Sequence, residues 1–316
     1  MHILRLRQEN NLISIKKDST QFTFLDTGDL REIRNNEIMI NQMISDPIYG
    51  SINNIYLRIY KDTKIENYKL LGINSDSLFS YNDESVRWEG NIEGIIYKIT
   101  LTLVDENTWC YDIILDGNDE TVDIVYGQDI SIADKGGVLA NELYISQYID
   151  HKVIKGKCGY VISSRQNQKQ SCGYPYIQQG SKGIEIVGYS TDQAQFFGKS
   201  YKKNNQEAAL EGNLENKNYQ YELSYIALQT EKITLDKQVN FGFYGVFQKN
   251  FKKAVSAIEF NEEKENAWKY IDKAKKDDFI RVKKVSLSDS IGEPLYSDAF
   301  SDHELDKYFP TRILEE

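Results

Sequence analysis

The chain has 316 residues, 40% of them hydrophobic and 27% charged, which is apolar material enough for one large domain or two ordinary ones. A formal charge of -10 repels phosphate backbones and anionic bilayers, and the short lysine run over 273–276 is flanked by acids, so nucleic-acid and membrane-surface roles are excluded. Cys110, Cys158 and Cys172 form neither a disulfide framework nor a CxxC zinc site; with no apolar stretch of ~20 residues and no secretory leader, they predict a cytoplasmic protein with free thiols.

Period-two alternation runs from the start of the chain to about residue 250. It predicts strands over 97–103 (Tyr97, Ile99, Leu101 and Leu103 against Lys98, Thr100 and Thr102) and 107–115 (Trp109, Tyr111, Ile113, Leu115). It predicts two more over 218–225 (Tyr219, Tyr221, Leu223, Tyr225) and 239–247 (Val239, Phe241, Phe243, Gly245, Phe247). Turn clusters at Asp116–Asn118, Asn204–Asn205 and Asn216–Asn218 punctuate them. Many strands without intervening helical patterns imply an all-β fold, a large antiparallel sandwich over 1–252. The 22 tyrosines are then mostly sheet residues placed for packing.

Near residue 253 the period changes. Asn261 as N-cap, then Ala267, Trp268, Ile271 and Ala274 at helical spacing, predict one helix, with acids leading and lysines trailing as the helix dipole favours. Ser301 and Glu304 have capping-box spacing ahead of Leu305, Tyr308 and Phe309, and Pro310 marks a stop. Residues 253–316 therefore read as a helical linker or tail.

Catalytic motifs are scarce. Gly198-Lys199-Ser200 has Gln193 where a P-loop needs its first glycine, and no helix pattern follows; GxGxxG, HExxH and GxSxG do not occur. Of His2, His151 and His303, only His151 lies in the sheet-rich region, and its neighbour Asp150 points to the opposite face of a strand, so a hydrogen-bonded histidine at a strand end is expected. Large sandwiches that interconvert sugar anomers use two histidines and a carboxylate, a couple that a single internal histidine cannot supply. Asp129, Asp134, Asp150 and Asp192 are carboxylates whose separation, which glycosidic cleavage requires, is invisible in sequence. No catalytic residue, metal ligand or cofactor is assigned. The segment GYVISSRQNQKQSCGYPYIQQG over 159–180 has more arginine, amide and tyrosine groups than a connector needs.

Four stretches in order, DPIYGSINNIYLRIY (46–60), VYGQDISIADKGG (125–137), ELYISQYIDHK with SRQN (142–152, 164–167) and GYSTDQAQFFGKSYK (188–202), resemble the amino-terminal β-sandwich of the glycoside phosphorylases of glycoside hydrolase family 94. The likeness is nearest to the 1,2-β-oligoglucan phosphorylases, more distant to cellobiose phosphorylase, and covers most of 40–260. It implies a galactose-mutarotase-like β-supersandwich, a short helical linker and a catalytic (α/α)6 barrel carrying an aspartate proton donor, in a cytoplasmic homodimer. Such enzymes split β-linked glucosides with phosphate, with inversion, to α-glucose 1-phosphate. No position here matches the barrel acid, so 253–316 is expected to lead toward a catalytic barrel absent from this sequence.

By that resemblance Arg165, Gln166 and Asn167 match the family's sugar-facing loop, and Tyr176 and Gln178 are expected beside them, amides and guanidinium meeting hydroxyls while rings cover pyranose faces. The implied partners are a β-linked glucooligosaccharide, the barrel and a second copy of the chain. The competing expectation for the loop is packing between domains or subunits with its amides spent on backbone. For the whole chain the alternatives are a free-standing carbohydrate-binding module and a structural assembly domain.

Overall fold

The computed structural model describes residues 12–117, 119–219, 223–259, 278–284 and 300–311, in two units, Met1–Lys284 and Val285–Glu316. In the first unit, strands β1 (Leu12–Lys17), β2 (Thr20–Leu25), β3 (Leu30–Asn35), β4 (Ile38–Met39) and β12 (Ala133–Asp134) form a five-stranded antiparallel sheet. A second, 15-stranded sheet begins β20 (Ile280–Val282), β7 (Leu78–Tyr81), β8 (Ser85–Ile92), β9 (Ile95–Leu103), β10 (Thr108–Asp116), β19 (Val239–Gln248) and β15 (Tyr176–Lys182). It continues β14 (Gly159–Gln166), β16 (Ile186–Asp192), β17 (Ser224–Thr230), β11 (Thr121–Asp129), β5 (Asn54–Tyr60) and β6 (Ile65–Lys69). Strand β13 (Ile149–Gly156) pairs with β14 and β18 (Ile233–Thr234) with β11. Among the named strands every pairing is antiparallel except β14 with β16, joined by the parallel bridge between Gly159 and Ile186. The chain is an all-β antiparallel sandwich, as the alternation predicts, and of the supersandwich kind that the resemblance implies.

The alternating residues supply the core. On β9, Tyr97, Ile99, Leu101 and Leu103 are all buried while Lys98 and Thr100 reach partly into solvent. Rings show how the long sheet folds over itself. Tyr126 of β11 stacks on Phe243 of β19 at 5.0 Å and meets Tyr111 of β10 at 5.6 Å, although four strands separate β11 from β19 in the sheet order. The small sheet closes one side: Phe22 lies 5.3 Å from Trp109 and Phe24 lies 5.7 Å from Trp88. Each such buried ring contributes roughly 1.5–3 kcal/mol over its exposed state. Glycine at 245 is a packing requirement, since a Cβ there would stand 2.3 Å from the Trp109 ring.

The other face of β5, β11 and β17 is covered as well. Phe196 and Phe197 of α3 (Gln193–Phe197) and Leu210 of a 3-10 turn (Ala208–Glu211) pack on Tyr56, Val125, Tyr225 and Ala227. Arg58 and Asp123, directly opposed in register, fasten that cover. The guanidinium grips the carboxylate with Nε to Oδ1 at 2.7 Å and Nη2 to Oδ2 at 2.5 Å, while Nη1 donates to the carbonyls of Leu210 and Gly212. Tyr60 and Gln229 donate to the same carboxylate, so the buried pair is hydrogen-bonded throughout.

Three expectations shift. The strand expected over 218–225 begins at Ser224: Tyr219 N donates to the Thr191 hydroxyl and Tyr219 O accepts from it, instead of joining a ladder, and 220–222 lie outside the described residues. Gly198-Lys199-Ser200 is followed by one helical turn, α4 (Tyr201–Asn204), which Asn205 ends in the left-handed region. The sheet-bearing unit also runs past 252, because β20 pairs with β7 and the Lys284 ammonium donates to Gly72 O, Ser75 O and Ser77 Oγ. The helix expected over 261–276 lies outside the described residues. In the second unit, α5 (Asp302–Tyr308) has the full Ser301–Glu304 capping box. Among the described residues no helix is long and apolar enough to cross a membrane.

Candidate functional site

The polar segment over 159–180 forms β14, a loop and β15. Strand β14 is buried at every position but Tyr160; β13, β15 and β16 pair along its edges, and of two short helices that precede β13 one is bonded to the end of β14 through Gln166 Nε2 and Ile145 O. Those helices are α1 (Lys135–Ala140) and α2 (Glu142–Ser146), the latter N-capped by Asn141. The loop from Asn167 to Pro175 is stitched on every side. Asn167 N donates to Tyr148 O at 2.7 Å, Asp134 N donates to Gln170 Oε1 at 2.9 Å, and Ser171 N donates to Asp134 Oδ2 at 2.8 Å. Phe251 N donates to Tyr174 O at 2.7 Å, and Gln170 and Gly173 exchange backbone bonds in a tight turn. Gly173, at φ +116°, accepts a backbone conformation that other residues resist.

Within that frame the five expected residues divide. Gln166 is fully buried: its Nε2 donates to Ile145 O at 3.2 Å and its Oε1 accepts from Gln168 N at 3.0 Å. Gln178 is equally buried, accepting from the Tyr176 hydroxyl at 3.1 Å and donating to the Tyr244 hydroxyl at 3.2 Å. Tyr176 also meets Ser163 Oγ at 3.0 Å and stacks on Phe251 at 5.1 Å; burial pushes its phenol up to about 12, so it stays protonated. In this chain none of these three offers a free polar edge to solvent.

Arg165 and Asn167 differ. Arg165 is 7% exposed; its Nε donates to Phe251 O at 2.8 Å, its Nη1 donates to Asn167 Oδ1, and its guanidinium lies 4.5 Å over the Tyr174 ring. Burial pulls its pKa down, with Tyr174 and Asp150 opposing, and the group remains cationic. Among the described residues it has no carboxylate partner in salt-bridge range, and Asn167 Nδ2 is not used by the protein. Asn167 is half-buried, with Gln168 half-buried and Lys169 exposed beyond it. Among the five, Arg165 and Asn167 are therefore the two that retain donors beyond those spent on the protein.

Asp150 is half-buried directly opposite Arg165 in register, while the other ionisable groups singled out in the sequence are committed elsewhere. His151 is buried on β13, Nδ1 against Ser164 Oγ at 2.8 Å and Nε2 against Ser224 Oγ at 3.2 Å, and burial lowers its pKa to about 4. It is the hydrogen-bonded strand histidine expected from the sequence. Asp129, raised to about 6 chiefly by desolvation, accepts from Gln42 N at 2.9 Å and Met43 N at 2.5 Å. Asp134 holds Ser171, and Asp192 caps α3 through Gln195 N at 2.7 Å. Among the described residues no cluster of metal-ligating side chains forms.

Sequence reasoning missed an apolar exposure beside this loop. Leu139, Leu143 and Tyr144, on α1 and α2, are 55%, 53% and 46% exposed, and Gln166 and Asn167 bond to the backbone at the end of that same helical segment. Its signal was GGVLANELYIS, where asparagine precedes apolar residues at helical spacing.

Fold and loop together define a β-sandwich domain with one stiffened, polar-tipped end. The chain belongs to the SOGP N-terminal domain family, whose model matches residues 23–245. It is 35% identical over 306 residues to a 1,2-β-oligoglucan phosphorylase of Listeria innocua serovar 6a, an alignment covering 96% of this chain and 27% of the relative. The chain thus spans about a quarter of the length of that curated relative. Among solved structures, a polysaccharide lyase covers 81% of this chain and 34% of its own (TM-score 0.46, 10% identity). A protein described as a candidate aldose 1-epimerase from Escherichia coli K12 covers 75% of this chain and 98% of its own (TM-score 0.42, 6% identity). Likenesses that loose carry nothing about function.

Proposed function

We propose that this chain is the non-catalytic amino-terminal domain of a 1,2-β-oligoglucan-type phosphorylase, whose reaction is inverting phosphorolysis of a β-linked glucan to α-glucose 1-phosphate. The observation that carries the reading is 35% identity sustained along 96% of this chain but 27% of the phosphorylase. The committed carboxylates support it. A proton donor for the departing sugar must be free to reach the glycosidic oxygen, and Asp129, Asp134 and Asp192 are each bound into the scaffold.

In this reading Arg165 and Asn167 meet sugar hydroxyls, while Gln166, Tyr176 and Gln178 act one layer beneath, fixing the strand ends that aim them. Leu139, Leu143 and Tyr144 face the catalytic barrel or a second copy of the chain, since apolar side chains exposed beside a polar loop favour a protein partner. The protein works as a cytoplasmic homodimer without metal or cofactor; its three free cysteines suit a reducing compartment. The isolated chain, given phosphate and β-1,2-glucooligosaccharide, should release no α-glucose 1-phosphate, and turnover there would refute the reading. Arg165→Ala, placed at the matching position of a barrel-bearing homologue, should lower kcat/KM for the oligosaccharide; an unchanged value removes the loop from the sugar site.

A further inference from the structure

A groove of about 570 Å³ opens beside edge strand β6, between Asn67–Lys69, the turn at 74–76 and residues 205–211, within the range of roughly 300–1,000 Å³ typical of small-ligand sites. It is separate from the loop at Arg165. In the sheet order β6 lies five positions from β14, about 24 Å along the sheet at the usual strand spacing.

Its floor is pre-formed. Glu207 is 8% exposed, its Oε1 accepting from the Lys69 ammonium at 2.8 Å and from the Tyr56 hydroxyl at 3.4 Å. Tyr68, a wall of the groove, is anchored through its hydroxyl, which donates to Glu93 Oε1 at 2.6 Å and to Glu66 Oε2 at 3.4 Å. A ring fixed in this way binds without first losing rotamer freedom.

The charge of the lining selects the ligand class. Lys69 is neutralised by Glu207, and Asp76 and Glu211 add negative charge, so phosphate and other anions are repelled. Among the described residues no group of three potential metal ligands is placed to hold a cation. What remains open is neutral hydrogen-bonding capacity: the amides of Asn67, Asn205 and Gln206 are exposed, beside the Tyr68 ring and the apolar flank of Ile65 and Ile92. Amides and carboxylate oxygens match vicinal hydroxyls, and ring and aliphatic surface match the apolar face of a pyranose.

We propose that this groove is a second saccharide-binding site, which holds a neutral glucan segment away from the loop at Arg165. The choice of a β-linked glucan as occupant rests on the phosphorylase reading; the saccharide class rests on the groove itself. The test is titration of the full 316-residue chain with β-1,2-glucotriose, cellotriose and maltotriose, read by calorimetry and by two-dimensional NMR. Saturable millimolar binding of at least one trisaccharide is expected, with shift changes centred on Asn67, Tyr68 and Gln206. Tyr68→Ala should raise Kd about fivefold, the worth of one aromatic contact, and Tyr68→Phe should keep it within about twofold. Asn67→Ala, at an exposed position where folding is not at stake, should weaken binding about threefold through one lost hydrogen bond.

No saturable binding of any of the three, or shifts centred on 165–174 with the groove silent, overturns the proposal. Either result leaves the kinetic test of Arg165 standing, so failure of the groove and failure of the phosphorylase reading are told apart. Binding of maltotriose alone supports the groove as a saccharide site and counts against a β-glucan occupant.

Discussion

Arg58 and Arg165 occupy similar places: each lies on a strand covered on both faces, and neither is more than 7% exposed. Their partners differ. Arg58 meets a carboxylate through two nitrogens and spends the third on backbone carbonyls that hold the outer cover of the sheet. Arg165 is bonded to a carbonyl, an amide oxygen and a tyrosine ring, all uncharged, and Asp150, opposite it in register, acts on it without forming an ion pair, so its positive charge is only partly offset. A buried charge cancelled inside the protein is architecture. One whose hydrogen bonds go only to neutral groups, with its nearest carboxylate unpaired to it, still has a field to offer to something outside, and this separates the clamp from the candidate sugar contact.

The largest effect that could break this contrast is at the clamp. Arg58→Ala leaves the buried Asp123 carboxyl without its counter-ion, and should cost about 3–5 kcal/mol in chemical denaturation. Arg58→Met with Asp123→Leu should recover most of that loss, since it removes both charges together. A cost below about 1 kcal/mol for the single variant would mean that the pair is not what fastens the cover.

Next come two buried groups whose titrations oppose each other. His151 has its pKa lowered from 6.5 to about 4, so its contribution to stability is present above 6.5 and is lost as pH falls toward 4. Asp129 is raised from 3.8 to about 6, so its contribution is full below 3.8 and is lost as pH rises through about 6. Each shift is worth roughly 3 kcal/mol, and across the shared window the two nearly cancel. His151→Gln should therefore make stability rise, relative to the parent, as pH drops from 6 to 4, and Asp129→Asn should make it fall more steeply. Parallel stability–pH curves for parent and variants would show that neither residue titrates as its burial requires.

Smaller again is Arg165→Ala. About 1 kcal/mol of stability should be lost with its hydrogen bonds, against a tenfold or greater drop in kcat/KM in the barrel-bearing homologue, as expected for a charge-assisted contact to substrate. Tyr176→Phe makes the smallest change. It removes one hydroxyl from the Ser163–Gln178 network, should cost about 1 kcal/mol in thermal unfolding and leave kcat/KM within about twofold. Arg165 and Tyr176 are directly opposed in register, so a kinetic loss at Tyr176 as large as that at Arg165 would erase the distinction between contact and support.

The strands were legible because one face of each is apolar at period two, and 97–103, 108–115 and 239–247 all lie in strands. What alternation cannot reveal is a strand covered twice. In GYVISSRQ and YIQQGSK the polar residues look like a solvent face, yet nearly all are buried, because neighbouring strands and short helices supply partners from distant sequence. The 164–167 segment was therefore visible as unusual, but which of its amides were already used was not. Arg58 and Asp123 stand 65 residues apart and left no local trace. Helices α1 and α2 are too short, at six and five residues, for a 3.6-residue period to stand out.

Strand β20 covers one end of the long sheet. Without it, β7 would present a bare row of N–H and C=O groups at the end of a long sheet, the usual template for runaway strand addition between molecules. With it, the exposed rim is three residues long, carries Arg281 and is followed at once by Lys283 and Lys284, a rim on which a second strand finds little to grip. A version trimmed at 252 would lose that guard and should form soluble aggregates under conditions where the longer chain does not.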